Sequence, residues 1–265
     1  MSAVNIGVVG VGATKGDSAG TSVADGADVP RAAGLRPVEE LRALAASGAE
    51  ELHEASAEQI VRWVADNFAM QRTAVACSMA DAVLPHLVSS VTPGVDVLFL
   101  DTGYHFVETY ATRDEVARTL DVRVIDVKPL QTVAEQDAEL GAELFARDPN
   151  LCCARRKVEP LHRALAGYEL WFTGVRREEA PTRSATPFVA FDEKNGLVKV
   201  NPLAAWTFDE VIGYASAHAV PMNLLLGNGY PSIGCEPCTR PVAPGEDPRS
   251  GRWAGLAKTE CGLHL

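Results

Sequence analysis

The sequence predicts an α/β protein built on a parallel β-sheet, and three observations carry that prediction. Short, mostly apolar runs at 73–77, 95–100 and 122–127 alternate with helical stretches at 81–91 and 106–120. The runs have strand length and are rich in Val, Leu, Ile and Phe, as expected of strands buried on both faces. Strand, helix, strand at these intervals requires helical crossovers between parallel strands.

The elements follow in order. Residues 1–35 are rich in Gly, Ala, Ser, Asp and Val, show no sustained period, and predict a flexible N-terminal arm. Its glycine run at 7–12 lacks the spacing and following helix of a dinucleotide fingerprint. From 37 to 68 the pattern is helical, with Leu41, Leu44 and Ala45 and then Ile60, Trp63 and Val64 at helix spacing. The first two strands are followed by loops holding Ser78 and Asp81, and Asp101, Thr102 and Gly103. Ligands of such sheets bind beyond the C-terminal strand ends, where these loops fall. Residues 131–146 predict short helices. A further helix is expected from the cysteine pair at 152–153 to about 167, then a fourth strand at 169–175. Its loop carries Arg176, Arg177 and Arg183. Stretches 187–191 and 197–200 predict a hairpin turned at Asn195-Gly196, and 207–219 a helix capped by Thr207. From 222 onward Gly and Pro dominate. The expected division is an arm over 1–35, an α/β domain over 36–220 and a loop-rich C-terminal segment over 221–265.

The 265 residues, 47% of them apolar, suffice for a substantial core. A net charge of −11 argues against a general nucleic-acid or membrane-surface protein. No apolar run has membrane-spanning length, and the start shows no basic-then-apolar leader pattern. Six cysteines in such a chain point to a reducing compartment, the cytoplasm. Composition sets no oligomeric state.

Four of those cysteines fall in two pairs of different spacing, Cys152-Cys153 and Cys235-Glu236-Pro237-Cys238. Adjacent cysteines can ligate neighbouring irons of one cubane cluster, whereas their short backbone suits a single tetrahedral zinc poorly. An iron–sulfur cluster is therefore expected, with a merely buried cysteine pair as the plain alternative. Cys261 lies near the end of a polar segment with Lys258 and His264 beside it, and nearby positive groups favour the thiolate. Lys157, Arg176, Arg177, Arg183, Arg249 and Arg252 gather in the loops around these cysteines. Such a set in an acidic chain suits a small polyanion such as a phosphate or sulfate ester.

These segments resemble the assimilatory sulfonucleotide reductases, most closely the iron–sulfur adenylylsulfate (APS) reductases. The resemblance is carried by LDTGYHFVETY (100–110), CCARRKVEPL (152–161), TGVRREEAPTR (173–183), VKVNPLAAWT (198–207), GYPSIGCEPCT (229–239), DPRSGRWAG (247–255) and KTECGLH (258–264). It implies an adenine-nucleotide α-hydrolase-like (PP-loop) fold with a loop-rich tail. It also implies a [4Fe–4S] cluster on Cys152, Cys153, Cys235 and Cys238. Substrate contacts are implied at Ser78, Asp81, Asp101, Thr102, Gly103, Lys157, Arg176, Arg177, Arg183, Arg249, Arg252 and His264. Cys261 would be the catalytic nucleophile, taking sulfite from APS, releasing AMP, and being cleared by reduced thioredoxin. One departure is the nucleotide loop, which reads ACSMADAV where the family has a glycine, with Ser78 near that position. A reductase of the 3′-phosphorylated nucleotide (PAPS), a zinc-stabilised nucleotide-binding regulator without turnover, and a thioredoxin-like use of Cys235 and Cys238 are the competing readings.

Overall fold

The computed structural model describes residues 31–256 and 258–263. Most of the predicted arm, with its glycine run at 7–12, and His264 lie outside them. The stretch expected to be helical over 37–68 is two helices, α1 (Val38–Glu51) and α2 (Ala57–Asn67). Ser56 starts the second. Its hydroxyl accepts from the Gln59 amide at 3.3 Å while the Gln59 side chain accepts from the Ser56 amide at 2.7 Å. This reciprocal cap satisfies two amides that the first helical turn leaves free.

The chain then runs β1 (Thr73–Ala76), α3 (Val83–Ser89), β2 (Val95–Leu100), α4 (Val107–Thr119) and β3 (Val122–Val127). Short helices α5 (Val133–Leu140), α6 (Leu144–Arg147), α7 (Pro149–Cys153) and α8 (Glu159–Leu165) lead to β4 (Leu170–Thr173). The hairpin β5 (Val189–Asp192) and β6 (Leu197–Val200) and helix α9 (Phe208–Ala217) complete the framework. The sheet order is β3-β2-β1-β4-β6-β5, parallel throughout except for the edge strand β5. Val75 of β1 pairs with Val97 of β2 on one side and Phe172 of β4 on the other.

Alternation along the strands fills two cores. Val75, Val97, Phe99 and Phe172 pack with α2, α3 and α9 on one face. Ala74, Leu98 and Trp171 pack with Leu161 and Leu165 of α8 on the other. Each fully buried side chain of this size contributes roughly 1.5–3 kcal/mol, so both faces are strongly specified. After β3 the chain crosses back and adds β4 on the far side of β1. That reversal opens a crevice at the C-terminal ends of β1 and β4, the usual ligand position in open parallel sheets.

The loop after β1 takes a left-handed turn at Met79, with φ of 59°, one residue after Ser78, which stands near the glycine position of the family's loop. A non-glycine residue there costs about 1–2 kcal/mol, offset by complete burial of the Met79 side chain. The C-terminal segment fastens this loop: Asn223 donates to the Met79 carbonyl at 3.0 Å and to Thr109 Oγ1 at 3.3 Å. Among the described residues no helix is long and apolar enough to cross a membrane.

Candidate functional site

A cavity of about 240 Å³ occupies the crevice. Ser78 and Asp81 line it from the β1 loop, Thr102 and His105 from the β2 loop, and Thr173, Gly174 and Arg176 from the end of β4. Asp81 accepts from the Val83 amide at 3.0 Å, which opens α3. Burial raises the Asp81 carboxyl, opposed by that amide and by Arg176. Beside it the Cys77 thiol donates to the Asp81 carbonyl and accepts from the Met79 amide, and burial pushes it up to about 12. A thiol so held is a poor nucleophile at neutral pH.

The far wall is cationic. Lys157 lies in a π-helical stretch, Ala154–Val158, between α7 and α8. Sequence predicted a continuous helix here; the wider turn re-aims the side chains that follow the cysteine pair, as such bulges commonly do at functional sites. Burial opposes the charge on Lys157, but the neighbouring Cys235, Cys261 and Cys153 hold its pKa above the ordinary value. Arg252 is packed over the Trp253 ring at 4.7 Å and donates to Ser232 Oγ at 3.1 Å and the Ile233 carbonyl at 3.2 Å. Its Nε is buried with no hydrogen-bond partner among the described residues. Burial and the neighbouring Arg249 lower its pKa.

The tail closes the cavity. Cys261 and Leu263 line it together with Lys157, Arg183, Arg249 and Arg252. Glu260, immediately before the cysteine, lies between two of these arginines. Its oxygens meet Arg183 Nε at 2.8 Å and Nη2 at 2.7 Å, and Arg249 Nη2 at 3.2 Å.

A second, smaller cavity adjoins the first. It is lined by Cys152, Cys153, Cys235 and Cys238 with Tyr104, Phe145, Pro149, Arg156 and Lys157. All four cysteines are free thiols. Asp148 caps α7 through the Asn150 and Leu151 amides and so sets the cysteine pair in the last turn of that helix. The second pair is brought in by the bridge of Cys235 to His105 and by the Glu236 amide on the Tyr104 carbonyl at 2.7 Å. Burial and neighbouring thiol charge push Cys152 up to about 12 and Cys238 up to about 11. Among the described residues no three His, Cys, Asp or Glu side chains converge as a single-ion site. The four cysteines nevertheless line one cavity. Lys157 lines both cavities.

A family model described as the phosphoadenosine phosphosulfate reductase domain matches residues 72–241, more than half of the chain. The chain belongs to this reductase family. It is 57% identical over 229 residues to the adenosine 5′-phosphosulfate reductase of Streptomyces coelicolor, covering 86% of this chain and 97% of that protein. The enzyme of the same name from Mycolicibacterium smegmatis is 57% identical over 226 residues, with 85% and 95% covered. Among solved structures, a phosphoadenylyl-sulfate (PAPS) reductase from Candida auris in a phosphate complex superposes with a TM-score of 0.63. It is 29% identical, over 75% of this chain and 96% of that one. A Candida glabrata FMN adenylyltransferase, TM-score 0.50 at 11% identity over 77% and 73% of the chains, shares the fold alone. The adenine-nucleotide α-hydrolase-like fold expected from sequence is the one observed.

In this reductase, the cavity brings together Ser78, Asp81, Thr102, Lys157, Arg176, Arg183, Arg249, Arg252 and Cys261 of the residues singled out from sequence. It does not bring in Arg177, whose guanidinium donates to the Thr186 carbonyl at 2.9 Å and stacks on Phe188. Asp101 and Gly103 shape the β2 loop rather than the cavity wall. The Asp101 carboxylate accepts from the Gly103 amide at 3.2 Å and the Tyr110 hydroxyl at 2.7 Å. Two charged residues went unread in the sequence. Arg156, only 4% exposed, donates to the Thr102 carbonyl at 2.6 Å and to Gln136 at 3.2 Å, so it locks the β2 loop to the cysteine helix. The other is Glu260. Both sit inside motifs that were quoted for other residues.

Proposed function

We propose that this chain reduces adenosine 5′-phosphosulfate to sulfite and AMP in assimilatory sulfate reduction, with a thioredoxin-type dithiol supplying both electrons. The observation that carries this reading is the presence of Cys261 in the same cavity as Lys157 and Arg252, at the nucleotide-binding end of the sheet. The Cys261 thiolate attacks the sulfate sulfur, the bond from that sulfur to the bridging oxygen breaks, and AMP leaves. The cysteine now carries an S-sulfonate. A reductant thiolate attacks Cys261 Sγ, sulfite departs with the electron pair of the S–S bond, and the second reductant thiol resolves the mixed disulfide. An anionic thiolate approaching an anionic sulfonucleotide needs cations. Lys157 and Arg252 supply them, neither being paired with a carboxylate among the described residues.

The relatives are named for APS, and all four thiols around one cavity suit a [4Fe–4S] cluster held by Cys152, Cys153, Cys235 and Cys238. Bound there, the cluster would supply fixed charge and cross-link the C-terminal segment to the Lys157 stretch. The protein residues orient the substrate and hold Lys157 between the two cavities. A cytoplasmic setting agrees with six free thiols. The test is sulfite release by anaerobically purified protein from APS and, separately, from PAPS, with reduced thioredoxin. Faster release from APS is expected; release from PAPS alone, or from neither, overturns the reading.

A further inference from the structure

We propose that Glu260 is a positioning residue: an electrostatic latch that holds the Cys261 tail closed over the cavity by occupying Arg183 and Arg249. The geometry does not depend on the reaction assigned above, although its kinetic consequence rests on that reading.

The three residues before Cys261 are each pinned, and by polar contacts. Lys258 Nζ donates to Asn150 Oδ1 at 2.5 Å. The Thr259 carbonyl accepts from Arg249 Nη2 at 2.8 Å. Glu260 takes a two-pronged contact from Arg183, a third from Arg249 at 3.2 Å and a hydroxyl from Thr182 at 3.2 Å. Its side chain is 8% exposed, those of Arg183 and Arg249 12% and 14%. The described tail has no helix or strand, and of its residues 258–263 Leu263 alone joins an apolar cluster. Closure is therefore held by charge.

The same contacts divide the cations of the site into two classes. Arg183 is shared by Glu179 and Glu260, Arg249 pairs with Glu260, and Arg176 pairs with Glu178 and Glu179. With the tail closed, these arginines are neutralised by protein carboxylates. Lys157 and Arg252 are left to meet the substrate anion. Arg183 and Arg249 thus act on Cys261 through Glu260, and opening the tail to a reductant means breaking their ion pairs.

The test uses full-length, cluster-loaded protein without nucleotide and reads alkylation of Cys261 by iodoacetamide, resolved by peptide mass spectrometry. Glu260→Gln and Arg183→Gln should each speed alkylation roughly tenfold to a hundredfold, the range set by losing charge-assisted hydrogen bonds. The pair of variants separates a latch from simple tuning of the thiol. Removing a negative neighbour favours the thiolate and removing a positive one disfavours it, so tuning alone would move the two variants in opposite directions. Formation of the S-sulfonate from APS in a single turnover should slow in both variants, while its discharge by reduced thioredoxin should not. Glu260→Asp should restore part of the protection. Opposite responses of the two variants, or wild-type alkylation in both, overturn the latch. Because alkylation needs no substrate, that result stands apart from any failure of the APS assay.

Discussion

Gly234→Ala should disable the site while leaving the fold almost untouched. The glycine sits between Ile233 and Cys235, and its backbone lies outside the left-handed region, so alanine is sterically allowed by the main chain. What the new Cβ would meet is the Arg252 guanidinium, with Cζ 2.5 Å away. Carbon contacts settle near roughly 3.5 Å, so the guanidinium must retreat by about 1 Å. It would leave its donors' partners, Ser232 Oγ and the Ile233 carbonyl. The clash is with the far end of a long side chain, so the folding cost is limited to those hydrogen bonds, about 1–3 kcal/mol. For a chain of this size that lowers Tm by about 2–12 °C. Catalysis loses more sharply. One charge-assisted contact to the phosphosulfate is worth about 1.5–3 kcal/mol, roughly a ten- to 150-fold fall in kcat/KM. The assay is steady-state sulfite release from APS beside a thermal melt, for Gly234→Ala, Arg252→Ala and the double variant. The two single losses should match, and the double should be no worse than either, since both act through one guanidinium. Wild-type turnover by Gly234→Ala, or fully additive losses, would refute the placement of Arg252.

Three other outcomes are expected. Cys261→Ser should retain iron and bind APS but form no protein S-sulfonate, read by intact mass after incubation with APS and no reductant; an S-sulfonate in that variant would move the nucleophile elsewhere. Cys238→Ser should lose the visible absorption of the cluster and lower bound iron in anaerobic preparations, and full iron retention would exclude that thiol as a ligand. The contact between α3 and α9 should be pH-sensitive. Burial and the neighbouring His218 lower the His86 pKa below 6.5, so protons prefer the unfolded chain. The stability of this contact is therefore present above pH 6.5 and lost as pH falls below it. Between mildly alkaline and mildly acidic buffer, Tm should drop by less in His86→Phe than in the unaltered protein; an equal drop would locate the sensitivity elsewhere.

The sheet was legible in the sequence because burial on both faces leaves a one-dimensional trace. Val75, Val97 and Phe172 stand in runs whose length and composition permit little but parallel strands. The cysteine pairs and Cys261 were legible for a different reason: thiols are chemically distinctive, and their spacing limits what they can bind. The break between α1 and α2 was also written locally, in Ser56 and Gln59, though a helical period running across it conceals the cap.

Partnership among charges was not legible. Arg176, Arg177, Arg183, Arg249 and Arg252 look alike along the chain, yet one stacks on Phe188, two hold Glu260, one pairs with Glu178 and Glu179, and one enters the cavity with an unpaired Nε. The left-handed turn at Met79 and the π-helical stretch that aims Lys157 were hidden as well. Sequence alone determined the strands, the thiol inventory and the family resemblance, because hydrophobic period and residue chemistry are local properties. Only the tertiary structure decided which cations are free. An ion pair such as Arg183 with Glu260 joins residues 77 positions apart, and no local pattern records that distance.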